Sequence, residues 1–462
     1  MLTDVRGLEV TAENEAAVRH LDDTVTHYAG FKLDTGAHLK QALTADPDMA
    51  MGLIVRAYFM KLFAMPALEV KARQSLEKAE ASIERRGGSA RERRHARALR
   101  AWCEGDERLA TAAWEELLLH DPLDLMALKL AHYTHFYFGD SRNMRDSIAR
   151  TSWAWTPDTP GYGFVQGMYA FGLEESGNYA DAEAAGRRAV EINPADVWAA
   201  HAVAHVMEMQ GRHREGIAWI EGLAGNWDDV HNFVFHVWWH KCLYHLELGQ
   251  HDAVLALYDG KVRPESTDDL LDISNGVAML WRLEDAGVDV GDRWIELADR
   301  AATHVDDHLL FFADAHYFLA LAAAGRDDEA AAMLASLKAA ADRAETDQEK
   351  VIRDVGAPLC EGIAALRRAD YGRACDLLLP LRYRLDPVGG SHAQRDLFQQ
   401  MLIQAARRGG RLQLARTLLA ERTALKPNSP PAWRNYAAAL EGLGDAQGAA
   451  SARDRAASLL AA

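Results

Sequence analysis

Four of the chain's 19 histidines stand in two pairs at helical spacing near its middle. His201 and His205 are four positions apart in the run Val197-Trp198-Ala199-Ala200-His201-Ala202-Val203-Ala204-His205, and His236 and His240 are four apart in Phe235-His236-Val237-Trp238-Trp239-His240. Residues i and i+4 of a helix lie one above the other, so each pair directs two imidazoles the same way, and Glu208 carries the first face on by about one turn. Imidazole and carboxylate donors in that arrangement suit zinc or iron. They also suit a metal-free polar pocket, or plain packing in which each ring serves a neighbouring helix. The spacing is not that of a zinc protease, because no Glu directly follows the first His of either pair. A metal-free pocket with no cofactor is the expectation; if a metal is bound, its ligands are His201, His205, His236 and His240.

Trp198, Trp238 and Trp239 accompany the histidines, as packing between helices or as the wall of a pocket. Further along, Asp314 and His316 sit two apart, and Arg353 and Arg395 each precede an Asp. A guanidinium offers paired donors to a planar anion, so both arginines are candidate carboxylate or phosphate clamps; the competing reading is an ion pair at a helix end. The expected ligand-binding set is therefore His201, His205, Glu208, His236, Trp239, His240, Asp314, His316, Arg353 and Arg395. Gly389-Gly390-Ser391 reads as a helix cap, since the spacing of a phosphate loop is missing. No nucleophile elbow, dinucleotide fingerprint, calcium loop or kinase signature occurs, so no catalytic residue is assigned.

The elements that must position these residues are legible from punctuation. Between Gly163 and Asp196, the residues Ala170, Leu173, Gly177, Tyr179, Ala182, Ala189 and Pro194 occupy the small, apolar, turn and terminating places of a 34-residue helix-turn-helix repeat. Advancing one repeat puts Ala170 on Ala204, Gly177 on Gly211 and Ala182 on Gly216. Later turns at Gly249, Gly325, Ala369 and Gly444 are irregularly spaced, so the array is degenerate. Apolar residues recur at three and four positions, with no convincing alternating strand. The predicted fold is all-α: a right-handed α-solenoid of degenerate tetratricopeptide-type helix pairs, either an open arc or closing toward a ring. One domain over 1–462 is expected, with capping helices in 1–45, repeats in 46–430 and a capping pair in 431–462. In such repeats the first helix of each pair lines the concave face. With a repeat starting at Val197, the lining positions are Trp198, His201, His205 and Glu208, and the next first helix starts near His231.

Composition narrows the partners. Asp and Glu total 68 against 51 Lys and Arg, a formal charge of −17, which predicts no nucleic acid and no anionic membrane surface as partner. No run of 18 apolar residues and no signal-peptide pattern occurs, so a soluble, cytoplasmic protein is expected. Cys103, Cys242, Cys360 and Cys375 form no CxxC pair and read as free thiols. The basic stretch Arg85 to Arg94 reads as a solvated turn and helix start.

Several longer strings narrow the reading: Met144-Arg145-Asp146-Ser147, Trp155-Thr156-Pro157-Asp158, His201-Ala202-Val203-Ala204-His205, Asp314-Ala315-His316, Arg353-Asp354-Val355-Gly356, Ala393-Gln394-Arg395-Asp396 and Ala424-Leu425-Lys426-Pro427. From about Met126 to Pro430 the chain resembles the tetratricopeptide repeat protein 38 family. The resemblance implies a helical-repeat fold throughout and brings no settled activity with it. Three functions stay open: a binding protein holding a small ligand, peptide or protein on a His/Trp-rich concave face; an enzyme or metal-binding protein with a His/Glu site between the helices starting near Val197 and His231; and a structural subunit of an assembly. Oligomeric state is not fixed by the sequence.

Overall fold

The computed structural model describes residues 1–461. After a short hairpin, β1 (Leu2–Thr3) antiparallel to β2 (Glu9–Val10), the described chain is helices joined by turns. Eight helices position the site, numbered along the chain: α1 (Leu125–Tyr137), α2 (Tyr162–Glu175), α3 (Val197–Gln210), α4 (Phe233–Glu247), α5 (Leu270–Asp285), α6 (Phe311–Ala323), α7 (His392–Arg408) and α8 (Leu412–Leu425). Their ends follow from local chemistry. Asp124 and Asp196 cap α1 and α3 by accepting the N–H of Ala127 at 2.9 Å and of Ala199 at 3.0 Å. Pro194 stands just beyond the helix Tyr179–Ile192 and cannot extend it. Helix α3 starts at Val197 as the repeat register requires, and α4 starts two residues after His231.

The helices form two layers. Every residue of α3 from Val197 to Glu208 is buried, and so is every residue of α6 from Phe311 to Leu321. The helices that follow α2 and α3 bury one face only: Ala182, Gly186, Ala189 and Val190 in Tyr179–Ile192, and His213, Gly216 and Ile220 in His213–Leu223. An apolar surface running all round a helix must be covered on every side. The outer helices supply one side, and distant parts of the chain supply the other.

That covering closes the solenoid on itself. Asp347 N–H donates to the Gly105 carbonyl at 2.9 Å, and the Arg108 N–H donates to the Asp347 carboxylate at 2.9 Å. His392, which opens α7, donates its N–H to Glu175 of α2 at 2.9 Å, and Arg282 of α5 donates to the Ala393 carbonyl at 2.7 Å. From the other end, Phe31 accepts the His231 N–H at 2.8 Å and stacks on Trp198 at 5.6 Å. At the tightest junction Gly139 has φ +64°, and a Cβ there would lie 2.2 Å from the Asp386 carbonyl oxygen. Of the two shapes the sequence left open, the chain adopts the closed one.

A buried polar network anchors the early repeats. Asp124 accepts from Arg91 Nε at 2.6 Å and from His95 Nε2 at 2.9 Å, while Arg91 reaches Asp4 at 3.2 Å. Tyr58 donates its hydroxyl proton to the His95 carbonyl and accepts Trp114 Nε1–H at 3.0 Å. Arg91 therefore departs from the solvated role expected for the basic stretch: its fixed charge is neutralised by two carboxylates in the core. Short helical turns interrupt the array, a 3₁₀ turn at Ser152–Ala154 and a π turn at Tyr258–Val262. All four cysteines are free and buried. No helix among the described residues is long and apolar enough to cross a membrane.

Two outcomes follow from closure and the network. Gly139→Ala should lower the melting temperature well beyond Gly177→Ala, because Gly177 shares the positive φ but has nothing within 4 Å of a Cβ; the conformational cost common to both is about 1–2 kcal/mol. Equal shifts would mean the junction contributes nothing. At Asp124 burial raises the carboxyl pKa, but Arg91 and then His95 outweigh it and hold the group well below its ordinary range. Its contribution is therefore complete above the unfolded value of about 3.9 and is lost as pH falls through the lower folded value. Asp124→Asn should cost about 3–5 kcal/mol at neutral pH, with the gap from the unmodified protein narrowing in thermal melts taken toward about pH 3.

Candidate functional site

Helices α3 and α4 are the inner members of consecutive pairs, so their facing stripes meet. His201 and His205 from α3 and His236 and His240 from α4 are 0–3% exposed. Each offers one ring nitrogen such that all four atoms lie within 4.8 Å of one another. His201 Nε2 and His205 Nε2 are 2.9 Å apart. The rings pack closely, His205 tilted on His240 at 4.2 Å and His201 edge-on to His240 at 4.9 Å between centroids. Phe171 closes one side, and Trp239 stacks on His236 at 5.2 Å.

Acceptors surround the outer edges of the rings. Glu208 Oε2 is 3.5 Å from His240 Nδ1, Glu174 Oε2 is 3.6 Å from His205 Nδ1, and Asn275 Oδ1 is 2.8 Å from His236 Nδ1. Burial, and after it the mutual repulsion of the rings, pushes His201 and His205 well below the ordinary imidazole pKa, and His236 to about 3. These rings are neutral. Burial, then Glu175 and Glu208, pushes Glu174 well above the usual carboxylate range. Glu208 is held at about 2: burial opposes its charge, but Lys426, 3.0 Å from Oε1, and His240 together outweigh burial.

Lys426 marks a neighbouring chamber of about 290 Å³ where α3, α4, α5 and α7 meet the segment after α8. Its lining includes Glu208, Arg282, Asp396, Arg407, Arg422 and Lys426, but none of the four histidines. Arg422 grips Asp396 through two hydrogen bonds, at 2.6 and 3.1 Å. Arg282 differs from its neighbours. It is 4% exposed, donates only to the carbonyls of Ala278 and Ala393, and lies 5.3 Å over the Trp239 ring. No carboxylate is paired with it among the described residues, and burial pushes its pKa down to about 10.

The remaining candidates do not gather here. His316 gives Nδ1–H to its own helix at Phe312, 2.7 Å away, and Asp314 faces His308 at 3.3 Å, both on α6. Arg353 lies on the surface, paired with adjacent Asp354 at 2.8 Å, so it clamps nothing in the interior. Arg395 is buried but spent on Glu175 at 3.4 Å and on the Gly390 carbonyl, which makes it an internal tie between α7 and α2. Ser391 caps α7 in a capping box with Gln394, as Gly389-Gly390-Ser391 suggested. Trp198 packs against Phe31 beside Lys129, whose ammonium burial pushes down to about 7.

Sequence reasoning passed over Glu174, Asn275, Arg282 and Lys426. Glu174 carried a usable signal, for it precedes Glu208 by one 34-residue repeat and so occupies the same register position. Asn275 and Arg282 come from α5, which packs on α4 as the next inner helix but after an irregular spacing that hides its register; only Lys426 arrives from a distant segment.

Structural comparison gives low-identity likenesses. The human IFIT1 dimer with PPP-AAAA is similar at 12% identity, covering 98% of this chain and 96% of that chain, with a TM-score of 0.42. The same dimer with m7Gppp-AAAA gives 12% identity, 98% and 97% coverage, and 0.42. The TPR domain of P58(IPK) gives 11% identity, 80% and 98% coverage, and 0.22. No family model matches the chain. Its own sequential helix pairs make it an all-helical repeat protein.

Proposed function

We propose that the protein is a repeat scaffold that binds a small carboxylate-bearing molecule in the chamber between α3, α5, α7 and Lys426. The observation that carries this reading is Arg282, a buried guanidinium at the chamber wall with no carboxylate of its own. Asp396, Glu208 and Glu247 act on it without contacting it; a buried cation that no carboxylate touches is costly, and a planar anion that accepts two parallel N–H bonds relieves the cost. About 290 Å³ lies at the small end of ligand pockets, and Arg407 on the same wall adds a second cation. The covering of the inner helices by α7 supports a small molecule over a peptide, since no extended chain fits where the protein's own chain already lies. The strings from Met144 to Pro427 carry the resemblance to the tetratricopeptide repeat protein 38 family, which supports a repeat scaffold without fixing its ligand.

The test is calorimetry and thermal shift with succinate, against 1,4-butanediol as an uncharged analogue of the same length. Succinate should bind and raise the melting temperature, the diol should do neither, and Arg282→Gln should weaken succinate binding by about 1.5–3 kcal/mol. Equal responses to acid and diol, or succinate binding untouched by Arg282→Gln, would overturn the reading.

A further inference from the structure

We propose that the four imidazoles between α3 and α4 form a closed transition-metal centre, in which a divalent ion of the zinc class is bound by one ring nitrogen each from His201, His205, His236 and His240. The centre is separate from the chamber, whose lining contains none of these rings. It therefore goes beyond the ligand-binding reading and stands or falls without it.

Hydrogen-bond accounting makes the case. A neutral imidazole has one N–H and one lone pair. Glu174, Glu208 and the Asn275 amide oxygen sit at the Nδ1 edges of His205, His240 and His236. Acceptors at those edges select the Nδ1–H tautomer, as the outer partners of metal-bound histidines do. The Nε2 lone pairs of three rings are then left to converge on one point. His201 can offer one proton, to His205 Nε2 at 2.9 Å. The rest stay unsatisfied.

The structure carries the mark of that shortfall. His201 Nδ1, His205 Nδ1, both ring nitrogens of His240, both oxygens of Glu174 and Glu208 Oε2 are all buried without a hydrogen-bond partner. Buried polar atoms are nearly always paired, so a knot of orphans in one place calls for a missing partner. The neighbouring chamber is lined by none of these rings, so water held there does not reach them. A cation satisfies every inward lone pair at once. Its attraction also draws the rings inward, which brings the Nδ1–H groups and their outer acceptors into a common alignment.

Geometry and ligand chemistry select the ion. Tetrahedral zinc with Zn–N bonds of about 2.0–2.1 Å needs ligand nitrogens roughly 3.4 Å apart. The present nitrogens lie within 4.8 Å of one another, so small rotations of the rings suffice. The set is all imidazole, with no thiolate and no carboxylate among the four ligands, which suits zinc and its first-row neighbours and disfavours calcium and magnesium. Four protein ligands and 0–3% exposure leave no open position, so the centre is structural: it fastens α3 to α4, with the ionised Glu208 supplying negative charge beside the ion.

Because the centre is sealed, metal must enter as the chain folds. The full-length protein, made without a polyhistidine tag, should contain one zinc-class ion per chain by elemental analysis. Refolding with cobalt(II) should give the visible d–d absorption of a four-coordinate nitrogen site. His205→Ala and His240→Ala should each lose the metal and the cobalt spectrum, His120→Ala on the surface should keep both, and Glu208→Gln should weaken affinity about 10- to 100-fold. Should the histidine variants fail to fold, the melting temperature of unmodified protein refolded with and without zinc decides, and a marked rise with zinc is expected. Absence of metal both as purified and after refolding in zinc, metal content unchanged in both histidine variants, or identical melting with and without zinc would each overturn the proposal. Succinate binding is read separately, so failure of one proposal is distinguishable from failure of the other.

Discussion

The inner helices cannot face water. Helices α3 and α6 are buried on every side, and burial of their apolar surface is worth about 25 cal/mol per Å². A solenoid of ordinary amphipathic pairs would leave the concave stripe of each inner helix exposed. Here that stripe, Trp198, His201, His205 and Glu208 on α3, is buried, so the chain must supply its own cover. Segments hundreds of residues later return to do so: His392 to Glu175, Asn428 to the Gln210 carbonyl, Lys426 to Glu208. The closed shape, the seclusion of the histidines and the chamber beside them all descend from this requirement.

Enclosure also changes what the charged groups mean. The chain carries a net charge of −17, yet the chamber wall holds Arg282, Arg407, Arg422 and Lys426. Acidic residues dominate the whole chain, but on this wall Glu208, Glu247, Asp285 and Asp396 are matched by these four and Arg434. The groups packed around it are largely buried, so interactions that would be weak at the surface set the charge state of their neighbours. Lys426 keeps Glu208 ionised against the cost of burial, while Glu174, without such a partner, is driven toward its neutral form.

Local features were readable from sequence because they depend on local physics. Pro194 and Gly211 mark helix ends, Ser391 caps α7, and the spacing of His201 with His205 and of His236 with His240 places each pair on one face. The thirty-four-residue register even put α3 at Val197. What escaped depends on contacts between distant segments. Arg353 and Arg395 look alike in sequence, each followed by Asp, but one lies outside and the other is wrapped against Glu175. Nothing in their neighbours distinguishes them, because the difference arises when α7 enters the interior. Arg91 was misread for the same reason: its partners Asp4 and Asp124 lie 87 and 33 residues away.

Glu208 has one oxygen on each side of a partition. Oε1 accepts from Lys426, which lines the chamber, and Oε2 faces His240 in the histidine cluster. A rigid carboxylate cannot turn toward one partner without turning from the other. Thermodynamic reciprocity then requires that whatever alters the hold on Oε1 is felt at His240, and the reverse, by the same free energy. The two compartments share no wall residue among the histidines, yet through this one side chain they are mechanically a single lever.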